Sequence, residues 1–184
     1  MTPMPDPELT IAPMSGESFA SRLPAFADLL TACVKGGASV NFVMPFEPRE
    51  AESYWREKIL PGVGSGRRVL LAAWLGERLA GTVNLDLDTP PNQPHRAEVS
   101  KLLVHPEFRR RGIARTLMLA LECEARKAGR SLLTLDTLTG DAAEPLYGSL
   151  GYVTVGRIPD FCRDVYDERL SSTTIMYKRL PKAA

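Results

Sequence analysis

The sequence predicts an α+β domain, built as a mixed, mostly antiparallel twisted sheet of six to seven strands flanked by about four helices. Three observations predict it. Two segments with helical apolar spacing come first. Two apolar runs joined by Gly76-Glu77-Arg78 follow, as in a hairpin. After them, strand-like and helix-like segments alternate to the end of the chain.

Residues Met1 to Pro13 are Pro-rich and carry acids, which reads as a flexible N-terminal tail (1–13) before a single domain over 14–184. They lack the basic-then-apolar pattern of a signal peptide. Glu17 to Val34 places Phe19, Leu23, Phe26, Leu29, Leu30 and Val34 at near-helical intervals. Pro24 breaks or kinks that helix, unless a helix starts there, and Gly36-Gly37 ends it. Pro48 to Leu60 reads as a second helix stopped by Pro61-Gly62, with a hinge or turn over Gly62 to Gly66. Val69 to Leu75 and Leu79 to Leu87 are strands, and Asp88 to Pro94 is a polar loop. Ala97 to Val104 is a third strand. Its alternation fails near Lys101-Leu102-Leu103, which means a bulge or two buried faces.

Gly112 to Ala128 is the clearest helix, with Ile113, Leu117, Ala120, Leu121, Ala125 and Ala128 in one stripe and Gly129 as its stop. Ser131 to Asp136 is a short buried strand. Asp141-x-x-Glu144 is a capping box for a helix reaching Leu150 and closed by Gly151. Tyr152 to Gly156 and Thr173 to Tyr177 are the last strands, separated by a long polar loop.

Composition narrows the function. The 184 residues are 44% hydrophobic and 24% charged, an ordinary globular balance. A net charge of +1 gives no global field for nucleic acid or a membrane surface. No apolar run approaches the ~20 residues of a spanning helix. Cys33, Cys123 and Cys162 are odd in number and far apart, and the histidines are His95 and His105, so neither a disulfide framework nor a metal site is expected. A reduced, cytoplasmic protein is the expectation.

The most informative local feature is Arg109-Arg110-Arg111-Gly112-Ile113-Ala114, which joins the apolar Leu102-Leu103-Val104 to a helix. A loop running into a helix N-terminus offers unpaired amides and a favourable dipole to a phosphate. Gly112 lets backbone approach a diphosphate, Ala114 keeps bulk low, and Arg109, Arg110, Arg111 and Arg115 add charge-assisted contacts. The spacing is not that of the nucleotide P-loop. A solvated basic turn is the competing account.

Leu-x-Val-x-Pro-x-x-Arg-x-x-Gly-x-Ala, from Leu102 to Ala114, resembles the signature of the GCN5-related N-acetyltransferases. Ala143-Glu144-Pro145-Leu146-Tyr147-Gly148-Ser149-Leu150-Gly151-Tyr152 resembles that family's second element. The resemblance in element order covers roughly residues 15 to 180, and two elements in the right order are more specific than either alone. It implies the acyl-CoA N-acyltransferase fold, with acetyl-CoA as co-substrate, its pyrophosphate on Arg109 to Arg115 and its pantetheine along Leu102, Leu103 and Val104. It implies that Tyr147 lies near the cofactor sulfur and donates a proton or hydrogen bond to the leaving thiolate. A packed helix aromatic is the plainer account of Tyr147. Many members place Asn near the start of the last helix, where this chain has Thr139-Gly140-Asp141.

Within the family, Gly36-Gly37-Ala38-Ser39-Val40, Arg96 to Leu102, Leu135-Asp136-Thr137 and Gly156 to Pro159 resemble the tabtoxin-resistance acetyltransferases, which acetylate a β-lactam amino-acid toxin. That resemblance implies a small-molecule amine as acceptor, an antibiotic-resistance role and a homodimer. It supports Glu98 and Asp136 as site residues. Both lie in or at the end of apolar strands, where an unpaired carboxylate is costly to bury. Glu98 takes the amine proton or else pairs with Arg96 or Lys101. Asp136 holds the ammonium or assists as base. His105 is a weaker base candidate beside Pro106 and reads equally as a turn residue. The loop Gly36 to Phe46 is a candidate wall of the acceptor pocket. Protein or peptide N-acetylation, and a non-catalytic acyl-CoA-binding module, are the rival functions.

Overall fold

The computed structural model describes residues 8–181, and the part of the expected tail before residue 8 lies outside them. The rest of that tail is not loose. Leu9–Pro13 forms strand β1, antiparallel to β2 (Arg68–Leu75), with Ile11 opposite Ala73. The remaining strands are β3 (Arg78–Asp86), β4 (Arg96–Val104), β5 (Leu132–Leu138), β6 (Val153–Arg163) and β7 (Leu170–Arg179). They form one seven-stranded sheet in the order β1-β2-β3-β4-β5-β7-β6, and β4–β5 is its parallel pair.

The first helical segment is two helices, α1 (Gly16–Ser21) and α2 (Leu23–Lys35), and Pro24 sits in the first turn of the second. There the missing N–H of proline costs nothing. The second segment overruns its expected stop. Helix α3 (Pro48–Tyr54) passes into a π-helical turn (Trp55–Ile59) and then α4 (Leu60–Gly64). Pro61 did not end it because proline is tolerated in the first turn of a new helical stretch. The expected hinge begins only after Gly64.

Two cores lie on opposite faces of the sheet. In β2, Leu70 and Ala72 point to the face covered by α1–α4, while Leu71 and Ala73 point to the face covered by α5 (Ile113–Lys127), following the two-residue period of a strand. Trp55 anchors the first core. Its ring meets Phe26 edge-on at 5.5 Å and its Nε1–H donates to the Phe26 carbonyl at 2.8 Å. Ile113, Leu117, Met118 and Leu121 fill the second. The last two strands are much longer than expected and enclose only a short turn, because residues on either side of the Pro159 bulge still pair with β7.

One irregularity shapes the site. Thr82 pairs with Leu103 and Asn84 with Ser100, so β4 carries an extra residue, and Lys101 takes φ +52°. This is the bulge that the broken alternation suggested. β4 pairs with β5 over Arg96, Ala97 and Glu98 and no further, so beyond Glu98 that edge of β4 is free on the β5 side. A cleft opens between the diverging strands.

Candidate active site

The loop before α5 is a built anion cradle. Gly112 caps the helix at φ +77°, and open space lies where a Cβ would be. The first backbone hydrogen bond of the helix runs from Thr116 N–H to the Gly112 carbonyl at 3.1 Å. Among the described residues, the amides of Arg110 through Arg115 have no backbone acceptor, so a row of donors faces outward at the positive end of a 15-residue helix. A diphosphate fits this donor set.

A cleft of about 420 Å³ runs along it, walled by Leu102, Leu103, Val104, Arg109, Arg110, Gly112, Ile113, Ala114 and Arg115. The cleft is completed by Cys33 of α2, by Gly37 in the turn after that helix, and by Ala143 and Leu146 of α6 (Ala143–Ser149). Arg115 Nη2 donates to Ser149 Oγ at 2.6 Å and ties α5 to α6. Arg109 Nε donates to the Val104 carbonyl at 3.3 Å, which also accepts the Cys33 thiol at 3.5 Å. Burial pushes that thiol up to about 11, against the lowering pull of Arg109, so it stays protonated and unreactive. Of the expected cofactor residues, Arg111 does not line the cleft; its guanidinium lies 5.9 Å from the Phe108 ring.

A second, smaller cleft of about 150 Å³ shares Ala38, Leu102, Asp141 and Ala143 with the first. Asp136, Thr173, Tyr147 and Lys101 line it, with Ser39, Val40 and Asn41 from the loop after α2. Thr173 Oγ1 lies 3.0 Å from Asp136 Oδ2 and 3.0 Å from the Thr137 carbonyl. Tyr147 is 6% exposed. Burial, and then the negative charges of Asp136 and Asp141, push its phenol above the usual value, so it is a neutral hydroxyl at physiological pH. Glu144 supports this end of the site by accepting the Gly140 N–H at 2.6 Å, one residue earlier than the expected capping box.

The structure does not bring Glu98 here. Its side chain is 56% exposed, lies 3.6 Å from Arg96, and lines neither cleft. Glu98 lies where β4 is still paired with β5, before the strands diverge, whereas Lys101, in the bulge beyond it, lines the second cleft. His105 is a turn residue whose Nδ1 accepts the Glu107 N–H at 3.3 Å. Lys101 is the residue sequence reasoning passed over. Its signal was present, as a charge in the part of β4 where apolar alternation failed. Among the described residues no group of three or more His, Cys, Asp or Glu could hold a metal ion, and no helix is long and apolar enough to cross a membrane.

Comparison with known proteins agrees with this geometry. Over 114 residues the chain is 31% identical to an uncharacterised N-acetyltransferase from the hisH-hisA intergenic region of Azospirillum brasilense, a match spanning 61% of this chain and 66% of that protein. The fold superposes on the yncA protein of Salmonella typhimurium with its cofactor acetyl-CoA, with a TM-score of 0.74, 20% identity and 96% of both chains covered. It also superposes on a ribosomal-protein-alanine N-acetyltransferase of Brucella melitensis, with a TM-score of 0.76, 21% identity, and coverage of 93% of this chain and 99% of that one. Residues 38–152, from the loop after α2 to the strand after α6, match the model of the acetyltransferase (GNAT) family, and the chain belongs to that family.

Proposed function

We propose that this protein transfers the acetyl group of acetyl-CoA to the amine of a small molecule. The observation that carries the reading is the junction of the two clefts at Leu102, Ala38, Asp141 and Ala143. A donor held by the amides of Arg110 to Arg115 and along the free edge of β4 would present its reactive end where Asp136 and Tyr147 stand. Acetyl-CoA supplies an activated thioester there. Asp136 receives the proton that the attacking amine must lose, and Thr173 holds its carboxylate in place. Tyr147, kept neutral by burial, donates a hydrogen bond toward the leaving sulfur. Its phenol is a weaker acid than a thiol, so hydrogen bonding to the thiolate, rather than complete proton transfer, is its task. A backbone N–H near Val104 polarises the thioester carbonyl.

The small second cleft, about 150 Å³, supports a compact amine over a protein N-terminus as acceptor. The resemblance to the tabtoxin-resistance enzymes supports an amino-acid-like toxin or antibiotic as acceptor, a cytoplasmic setting and a homodimer. The test is release of free thiol when acetyl-CoA meets a panel of small amines and amino acids. Turnover is expected, and Tyr147→Phe should lower kcat roughly 10-fold or more, the loss of one hydrogen bond to developing charge. Cofactor binding without turnover on any amine would point to a non-catalytic acyl-CoA-binding module.

A further inference from the structure

The acetyl-transfer steps leave Lys101 without a task. It is 8% exposed and lines the acceptor cleft, yet forms no ion pair or hydrogen bond among the described residues. Its Nζ lies 5.4 Å from the Tyr54 ring and 5.9 Å from the Phe42 ring. Asp136 attracts it from a distance and Arg68 repels it, while Arg68 is itself neutralised by Asp86 at 2.5 Å. Beside these rings the ammonium gives up part of its hydration without an anion to replace it, and aromatic faces offset only part of that loss. The same residue sits at φ +52°, a strained conformation for a side chain of this size. Two local penalties on one residue, at the wall of a ligand cleft, are the pattern of a group kept for binding.

We propose that Lys101 is the specificity-determining residue of the acceptor cleft and selects amines that also carry a carboxylate. The inference rests on the acetyl-transfer reading. Lys101 and Asp136 both line the cleft and feel each other's charge, yet form no ion pair with one another. A zwitterionic acceptor is their complement, its ammonium at Asp136 and its carboxylate at Lys101. An amine without the carboxylate makes no ion pair with Lys101 and gains nothing from it. Burial lowers the lysine to about 8, so most of it is protonated at neutral pH, and a bound carboxylate favours that form further.

The experiment pairs amino acids with their decarboxylated amines and measures thiol release from acetyl-CoA by wild type and Lys101→Met. The substitution keeps the length of the side chain, and thermal unfolding checks that the variant folds. Wild type should favour the carboxylate-bearing member of each pair. Lys101→Met should lose that preference by about 10- to 100-fold, mostly in KM, with the KM for acetyl-CoA unchanged. Equal turnover of both members by wild type, or an equal loss for both in the variant, overturns the assignment while leaving acetyl transfer intact. Absence of turnover on every amine overturns acetyl transfer and this inference together.

Discussion

Lys178 Nζ donates to Glu122 Oε1 at 2.6 Å, and the glutamate side chain is only 4% exposed. This pair fastens α5, which follows the anion cradle, to β7, which carries Thr173 of the second cleft. Removing one partner of a buried pair leaves the other charge uncompensated. Arg126, 3.7 Å from the second glutamate oxygen, limits the damage. Lys178→Met should therefore cost about 2–3 kcal/mol, below the full penalty for orphaning a buried ion, as read by urea unfolding. Coenzyme A affinity should change little, because neither residue lines a cleft. A stability unchanged within error would show that the pair does no net structural work.

Glu122 also shows where sequence reading stops. It falls inside the helical stripe of α5, between Leu121 and Ala125, yet its charge suggests a solvated face. Only the position of Lys178, distant in sequence, makes its burial tolerable. The geometry of the loop before α5 was legible because it is local, with Gly112 and the arginines consecutive and the helix signal immediate. The lining of the second cleft was half legible. Asp136 and Tyr147 stand in it, but Glu98 does not, since β4 is still paired with β5 at Glu98 and the strands part only beyond it. Broken alternation hints at a bulge without giving its consequence. Strand β1 was missed because Leu9–Pro13 is short, contains a proline and borders a Pro-rich stretch, and only pairing with β2 makes it a strand.

The glycine at the head of α5 should be the most sensitive position for cofactor binding. At φ +77° any β-branched residue is strained, and its side chain would occupy the open space before the free amides. Gly112→Val should cost about 1–2 kcal/mol of stability. Calorimetric titration with coenzyme A should show at least a 10-fold weaker Kd. An affinity equal to wild type would remove the loop from the cofactor site.

The two carboxylates should separate cleanly. Asp136→Asn should lower kcat by roughly 10²-fold or more, in the range for a lost general base. Glu98→Gln should stay within about twofold, since Glu98 lines neither cleft and lies 3.6 Å from Arg96 at the surface. Thr173→Val keeps shape but removes the hydroxyl beside Asp136, so a smaller fall in kcat, about 3- to 10-fold, is expected. Steady-state kinetics on any turned-over amine decides this. A large effect at Glu98 with none at Asp136 would reverse the assignment.

Lys101 should oppose folding in a pH-dependent way. Its ordinary value is 10.5, and burial brings it to about 8 in the folded chain. Between those values the unfolded chain keeps the proton and the folded chain gives it up, so the unfolded state binds more protons and stability rises with pH across the window. Below about pH 8 both states are protonated and the folded state bears the full cost of the buried charge, at most about 3 kcal/mol. Lys101→Met lacks that cost. It should be more stable than wild type at pH 7, and the difference should shrink steadily from about pH 8 and vanish near pH 10.5. Denaturant unfolding of both proteins over that range isolates the lysine, because every other titrating group is common to the two. A difference that holds constant from pH 7 to pH 10 would mean that Lys101 is not a buried charge.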